Sequence, residues 1–232
     1  MRNIKLDELI KKYNITDPVQ QGIIRWRHHK LKEWSLRVSG IGLEIGTGNY
    51  PCLAIFDSIS KAHLVEPDVK CLNSSMVELS NKKLCVGYLT KWNQTFIENN
   101  PTLVVDLILS IESFEHIEKE VNFIGLAYKI LKPGGYLIIE TPNKSLTPLF
   151  EKALGYSPTG GNCEIGNEHI NEVGFHELFT ELRKNNFELI DFSTYYIPVG
   201  LWKDPINLDF LHEVSSEYPF YSYIQMFLAR KK

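Results

Sequence analysis

A glycine loop that follows an acidic residue is the first feature of this chain that could do chemistry. In residues 42–51, Glu44 sits within a short apolar segment, and Gly46, Thr47 and Gly48 follow it. Glycine permits positive φ and lacks the Cβ that would keep a ligand away from the backbone. A helix start behind the loop would add free N–H groups and the positive end of a dipole. The pattern is typical of nucleotide-binding turns, and it also occurs in ordinary strand-to-helix turns.

Further polar residues stand where other predicted strands end. Glu66 ends the predicted strand 62–66, and Ser110 ends the nearly continuous apolar run 103–110. Such a run is typical of a strand buried on both faces of a parallel sheet, where ligands bind at the carboxyl ends of the strands. We therefore expect the following residues to lie along one edge: Glu44, Glu66, Tyr88, Ser110 and Thr141.

Histidine is the usual general base near neutral pH. His116 comes shortly after the run 103–110, and its alternative role is a helix-start residue bonded to the backbone. His169 ends a loop, where it could face an acceptor or order the loop itself. His176 is expected to be exposed on a helix. His116 and His169 are therefore the candidate catalytic residues.

These candidates are positioned by a regular alternation of strands and helices that starts at residue 40. It predicts a parallel α/β sheet with right-handed crossovers. The predicted strands are 40–44, 62–66, 84–88, 103–110 and 136–140, and the predicted helices are 51–59, 68–80 and 117–131. Residues 142–174 form a long loop region with a short helix at 147–154, and a helix at 175–182 follows. Segments 187–197 and 221–230 are expected to form an antiparallel edge pair.

Residues 1–39 look helical, and the helix over 19–36 carries Arg25, Arg27 and Lys30 among apolar residues. The preferred interpretation is an amphipathic helix with a solvated basic face. The alternative is a cover over a substrate pocket, whose basic face meets an anionic group.

The composition excludes several classes of protein. A net charge of −3 over 232 residues gives no electrostatic footprint for a long nucleic acid. No apolar run approaches the length of a membrane span, and the first residues lack the apolar core of a secretion signal. The four cysteines are widely spaced without a C-x-x-C pair, which favours reduced thiols in a cytoplasmic protein.

Taken together, several segments resemble the class I S-adenosylmethionine-dependent methyltransferases over residues 38–232. The segments that carry the resemblance are 43–48, 65–67, 106–110, 115–117, 131–137 and 169–170. The resemblance implies a Rossmann-like three-layer sandwich with a seven-stranded, mostly parallel sheet whose last strand is antiparallel. Residues 1–37 would then form an N-terminal helical cover on a methyltransferase domain at 38–232.

The resemblance also implies roles for single residues. Glu44 would lie near the amino acid part of the cofactor, and Glu66 would accept hydrogen bonds from the two ribose hydroxyls. The loop of Gly46, Thr47 and Gly48 would let the cofactor pass close to the backbone, with Ser110 near its methionine moiety. The chain departs from the family pattern in two places. Tyr50 replaces a third glycine, and residues 89–92 lack the usual adenine-side acid, although Trp92 could stack on adenine or be structural.

Two alternatives remain from the sequence. A dehydrogenase also uses a Gly-x-Gly loop after its first strand, but the third glycine is missing and the segments at 115–117 and 131–137 favour the methyltransferase. The segment Glu112-x-x-Glu115-His116 resembles the metal-binding motif of ubiquinone-pathway O-methyltransferases and of small-RNA 2′-O-methyltransferases, with His169 as downstream partner. A Glu-His pair at this place is common without a metal, so we expect no metal ligand.

We therefore expect a cytoplasmic enzyme that transfers a methyl group from S-adenosylmethionine to a small molecule, at a hydroxyl oxygen of a sugar, nucleotide-sugar or phenolic metabolite. The lid at 144–170 and the loop at 199–220 would shape the acceptor site. One alternative is a Mg²⁺-dependent methyltransferase acting on a vicinal diol or an RNA 3′ end. Another is a non-catalytic binding protein that keeps the fold.

Overall fold

The structure, a computed structural model, describes residues 6–12, 14–16, 18–80, 84–145, 168–195 and 222–232. The short helix expected at 147–154, most of the lid at 144–170 and the loop at 199–220 lie outside these residues. The described strands are β1 (Gly40–Ile45), β2 (Ile59–Glu66), β3 (Leu84–Leu89), β4 (Val105–Ile111), β5 (Leu131–Pro142), β6 (Phe187–Tyr195) and β7 (Ile224–Lys231).

The seven strands form one sheet in the order β3-β2-β1-β4-β5-β7-β6. The pairs among β1 to β5 are parallel, whereas β7 is antiparallel to both β5 and β6. The Rossmann-like α/β architecture is thus confirmed, including the antiparallel pair at the end of the chain. The described helices are α1 (Leu6–Lys12), α2 (Pro18–Ser35), α3 (Val69–Ser80), α4 (Gln94–Asn99), α5 (Phe123–Ile130) and α6 (Phe175–Lys184).

Two helices are shorter than the sequence indicates. The helix expected over 51–59 is only a single 3-10 turn, Cys52–Ile55, because β2 already begins at Ile59. The helix expected from residue 117 begins at Phe123, because Asn122 adopts a left-handed φ of 49° and caps the helix with its side chain. Short 3-10 turns at Phe114–His116 and Lys119–Val121 take up the preceding residues.

Helix α2 packs into the core instead of lying on its surface. Leu31 and Trp34 are fully buried, in the same hydrophobic cluster as residues of β2, β4 and β5. The indole nitrogen of Trp34 donates to Asp191 on β6, and Lys30 forms an ion pair with the same carboxylate. The N-terminal helical segment is therefore held against the sheet by both apolar and polar contacts.

Two further findings bear on the sequence-based expectations. Cys52 and Cys85 are free thiols, whereas Cys71 is disulfide-bonded, so the expectation of reduced thiols is wrong for Cys71. Over the ranges given above, none of the helices combines the length and the hydrophobicity that a membrane crossing requires.

His63 on β2 is expected to make the free energy of unfolding pH-dependent. It is almost fully buried, stacks on Tyr88, and has its Nδ1 2.9 Å from the tyrosine hydroxyl. Burial lowers the pKa of His63 to about 4. The unfolded chain therefore binds more protons than the native one between about pH 6.5 and pH 4, so stability present at higher pH is lost as the pH falls.

We expect His63 to account for a loss of about 1 kcal/mol in the free energy of unfolding between pH 7.5 and pH 5.5. Urea unfolding of wild type and His63→Phe at both pH values measures this contribution, since phenylalanine keeps the stacking but binds no proton. The exposed His29 supplies the control variant, His29→Phe. An unchanged pH dependence in His63→Phe would contradict the expectation.

Candidate active site

The glycine loop after β1 is built for close packing on one side and open space on the other. Gly46 has a φ of +70°, and a Cβ placed on it would lie 2.3 Å from the Cβ of Ser113. Gly48 has a φ of +52°, and among the described residues no heavy atom beyond its immediate chain neighbours lies within 4 Å of where its Cβ would be. Gly46 is thus required by the protein's own packing, whereas the space beside Gly48 is available to a ligand.

Glu66 ends β2 directly beside this loop. Its carboxylate accepts hydrogen bonds from the backbone N–H of Gly48 and of Asp68, both at 3.0 Å. The side chain is nearly buried, and burial raises the pKa of Glu66. The predicted neighbours Gly48 and Glu66 are therefore in contact, and the carboxylate oxygens retain lone pairs for a further donor.

Glu44 lies at the end of β1 and bonds the turn behind the loop. Its two oxygens accept hydrogen bonds from the backbone N–H groups of Cys52 and Leu53, each at 2.8 Å. Burial raises the pKa of Glu44 to about 8, although these hydrogen bonds oppose the shift. In this structure the carboxylate fixes the turn behind the loop. Tyr50, which stands where the family has a third glycine, is partly buried and packs against the hydrophobic core.

Replacing Glu44 by glutamine is expected to lower the free energy of unfolding by about 1–3 kcal/mol, because an amide nitrogen cannot accept and one buried N–H loses its partner. Urea unfolding measures this loss. Glu98→Gln, on the exposed side of α4, is the control. A variant that unfolds like wild type but no longer binds the cofactor would instead favour a direct contact between Glu44 and the cofactor.

Ser110 and Trp92 are both buried by the protein's own packing. Ser110 is fully buried, and its hydroxyl lies 2.7 Å from that of Ser113, which donates to the carbonyl of Ile45. Trp92 is 3% exposed and packs against Phe96 and Phe123. The structural interpretation of Trp92 is therefore favoured over stacking on adenine.

Both candidate histidines lie together beyond β4 and β5. Their ring centroids are 5.0 Å apart, and one ligand atom each of Glu115, His116 and His169 lie within 4.8 Å of one another. The backbone brings His169 there, because the N–H groups of Ile170 and Asn171 both donate to the carbonyl of Glu115. We call Glu115, His116 and His169 the Glu-His-His cluster.

In each histidine of the cluster, Nδ1 faces an oxygen acceptor of the protein. Nδ1 of His116 lies 3.0 Å from the carbonyl oxygen of Glu168, and Nδ1 of His169 lies 2.7 Å from a carboxylate oxygen of Glu172. These acceptors place the proton on Nδ1, so that Nε2 of each ring is left for a substrate proton or a metal ion. Burial lowers the pKa of His116, whereas for His169 the carboxylates of Glu172 and Glu115 outweigh burial and raise the pKa.

Glu115 is the buried acid of the cluster. One of its oxygens accepts a hydrogen bond from the hydroxyl of Thr141, and the other lies 4.0 Å from Nε2 of His116. Burial raises the pKa of Glu115 to about 8. A carboxylate and two imidazole nitrogens form a donor set that suits a first-row divalent cation.

Arg27 of α2 reaches the same edge of the sheet, which the sequence analysis did not anticipate. Its Nε and Nη2 contact the fully buried carboxylate of Glu140 on β5 at 2.6–2.9 Å. Its Nη2 also lies 2.7 Å from Glu112. The interpretation of α2 as having a solvated basic face is therefore wrong for Arg27. The acid at the end of the apolar strand 136–140 was the available signal for a buried ion pair.

The chain is similar to known methyltransferases over most of its length. A family model described as a methyltransferase domain matches residues 20–191. The mitochondrial ubiquinone biosynthesis O-methyltransferase of Dictyostelium discoideum is 28% identical over 145 residues, which cover 60% of this chain and 42% of that protein. The chain spans less than half the length of the curated relatives it matches.

Solved structures share the fold at low sequence identity. The N-methyltransferase NodS from Bradyrhizobium japonicum, in complex with S-adenosyl-L-homocysteine, has a TM-score of 0.63 at 15% identity and covers 94% of this chain and 89% of its own. A cyclopropane synthase from Mycobacterium tuberculosis has a TM-score of 0.59 at 16% identity, with coverages of 88% and 83%. The family match over residues 20–191 confirms the resemblance inferred from the sequence: this chain belongs to the methyltransferase domain family, of the class I S-adenosylmethionine-dependent type.

Proposed function

We propose that this protein transfers a methyl group from S-adenosylmethionine to a small-molecule acceptor at a hydroxyl oxygen. The observation that carries the proposal is the contact between Glu66 and the backbone of Gly48 beside open space, within a chain that belongs to the methyltransferase family. When bound, S-adenosylmethionine supplies a methyl group already activated on a sulfonium.

The residues of the chain then bind the cofactor, orient the acceptor and remove a proton from it. Glu66 would accept hydrogen bonds from the ribose hydroxyls, and the backbone of Gly46, Thr47 and Gly48 would line the cofactor's path, with Ser110 at the end of β4. Glu44 holds the turn behind the loop in place. A hydroxyl acceptor loses its proton to Nε2 of His116 or His169, since in both rings Nδ1 faces a protein acceptor. Positioning the acceptor in line with the methyl group supplies most of the remaining rate enhancement.

Calorimetric titration tests the cofactor. We expect micromolar binding of S-adenosylmethionine and S-adenosylhomocysteine, and no binding of NAD, which a dehydrogenase would take. Absence of binding by well-folded protein would overturn the proposal. Incubation with phenols, catechols, sugars and nucleotide-sugars, followed by mass spectrometry for a gain of one methylene, tests the acceptor class. Binding without any turnover would favour the non-catalytic alternative.

The Glu-His-His cluster supports a second candidate, a methyltransferase that uses a divalent cation. The sequence analysis expected no metal ligand, but the cluster brings one carboxylate and two imidazoles within ligand distance of one another. Glu115, His116 and His169 would hold the ion, which would orient a vicinal diol of a small molecule or an RNA 3′ end. The curated relative from Dictyostelium is named as an O-methyltransferase of ubiquinone biosynthesis, which agrees with methylation at a hydroxyl oxygen.

Titration with Mn²⁺ and Mg²⁺ separates the two candidates. Metal dependence predicts one tight site per chain that is lost in His169→Ala and kept in the control His176→Ala on α6. A cytoplasmic location and the absence of long nucleic acid partners belong to the first proposal. Cell fractionation and a binding assay with long RNA test them.

A further inference from the structure

Glu112 stands at the bend between β4 and the 3-10 turn that carries Glu115 and His116. Its backbone has a left-handed φ of 46°, which non-glycine residues rarely adopt, and its N–H donates to the carbonyl of Glu140. The backbone is thus fixed, while 45% of the side chain is exposed. Glu112 belongs to the segment that resembles a metal-binding motif. Its carboxylate nevertheless forms an ion pair with Arg27 and is not part of the Glu-His-His cluster.

The two acids on Arg27 are held unequally. Glu140 is fully buried and receives three contacts from the guanidinium, at 2.6, 2.8 and 2.9 Å. Glu112 receives one contact, at 2.7 Å, on a half-exposed side chain. Breaking the ion pair of a buried carboxylate that accepts several hydrogen bonds costs much free energy, whereas an exposed ion pair with a single contact contributes little to stability. Glu112 is therefore the partner that can leave Arg27, and Glu140 would keep the guanidinium in place.

We propose that Arg27 is a positioning residue that competes with a divalent cation for the carboxylate of Glu112. This inference rests on the second candidate function. In the structure described here, the N-terminal helix α2 holds Glu112 through Arg27. A cation bound by the Glu-His-His cluster draws Glu112 over to complete its ligand set, and Arg27 keeps only Glu140. Occupancy of the metal site and the docking of α2 are thereby linked through one side chain.

The charges at the site agree with this competition. Glu112 contacts Arg27 at 2.7 Å and stands three residues before Glu115, and its charge contributes to the shifts in pKa of Glu115, His116 and His169. A divalent cation carries twice the charge of the guanidinium and is coordinated directly by carboxylate oxygens. Because Glu112 has one carboxylate, stronger attachment to either partner must weaken its attachment to the other.

The test measures Mn²⁺ affinity by calorimetry and by electron paramagnetic resonance, without S-adenosylmethionine and without turnover. Arg27→Gln is combined with Glu140→Gln, so that no buried carboxylate is left without a cation. We expect this double variant to bind Mn²⁺ about 3- to 10-fold more tightly than wild type, whereas damage to the fold would weaken binding. Glu112→Gln is expected to weaken Mn²⁺ binding at least about 10-fold, and in that background the Arg27 and Glu140 changes should have no further effect.

Two further proteins complete the design. Arg27→Lys keeps a cation for Glu140 but loses the fork that reaches both acids, so it should also raise Mn²⁺ affinity. Lys30→Gln removes another cation of α2, paired with Asp191, and should leave the affinity unchanged. Unchanged or weaker Mn²⁺ binding in both Arg27 variants would overturn the proposal, as would wild type that binds no Mn²⁺. Cofactor binding is measured separately, so failure here is distinguishable from failure of the proposed methyl transfer.

Discussion

Replacing Glu66 by alanine is expected to weaken binding of S-adenosylhomocysteine by about 100-fold or more. The proposed bonds from two ribose hydroxyls to a carboxylate are charge-assisted, and each is worth about 1.5–3 kcal/mol. Since about 1.4 kcal/mol corresponds to a factor of ten in affinity, losing both gives at least two orders of magnitude. The substitution also removes the acceptor for the N–H groups of Gly48 and Asp68, so the loop loses part of its support.

Calorimetry on three variants distinguishes these contributions. Glu66→Gln keeps one acceptor oxygen and is expected to lose about tenfold. Glu98→Ala, on the exposed side of α4, is the matched control and should bind like wild type. Thermal unfolding of each variant verifies that the protein is folded. Affinity in Glu66→Ala equal to that of wild type would place the ribose elsewhere.

Replacing Arg27 by methionine is expected to lower the free energy of unfolding by about 3–5 kcal/mol, because it leaves a buried carboxylate without its cation. The partner is Glu140, whose side chain is fully buried in β5. Replacing both members, in Arg27→Met with Glu140→Leu, removes the uncompensated charge and should restore most of the stability. The control Lys30→Met breaks a pair with the half-buried Asp191 and should cost less than about 1 kcal/mol.

The pH dependence of the Arg27→Met variant gives an independent reading. Burial raises the pKa of Glu140 to about 7 in the presence of Arg27, and loss of the cation will raise it further. A carboxyl whose folded pKa lies above its unfolded value contributes stability at low pH that is lost as the pH rises. In urea unfolding, the difference in free energy of unfolding between wild type and the variant should therefore be smaller at pH 5 than at pH 8. A deficit that stays constant would show that lost packing, and not the charge, is responsible.

Local patterns in the sequence determined the order of strands and helices and the edge of the sheet where we expect ligands to bind. The alternation from residue 40, the apolar run 103–110 and the position of Glu66 at a strand end all depend on neighbours along the chain. Periodicity and turn chemistry are local, so they can be recognised without knowing the packing. Periodicity did not give the bounds of two helices, because the cap at Asn122 and the early start of β2 at Ile59 decided them.

Contacts between distant segments were decided only by the tertiary structure. Arg27 and Glu140 are 113 residues apart, and the cost of burying either charge depends on a partner that only packing supplies. Packing likewise brings Glu44 to the turn behind the loop. It also brings the segment at residues 168–171, and with it His169, to Glu115 and His116. The sequence by itself therefore determined the family, the fold and the candidate members of the Glu-His-His cluster, whereas the ion pairs of Arg27 and the contacts that bring His169 to Glu115 required the folded chain.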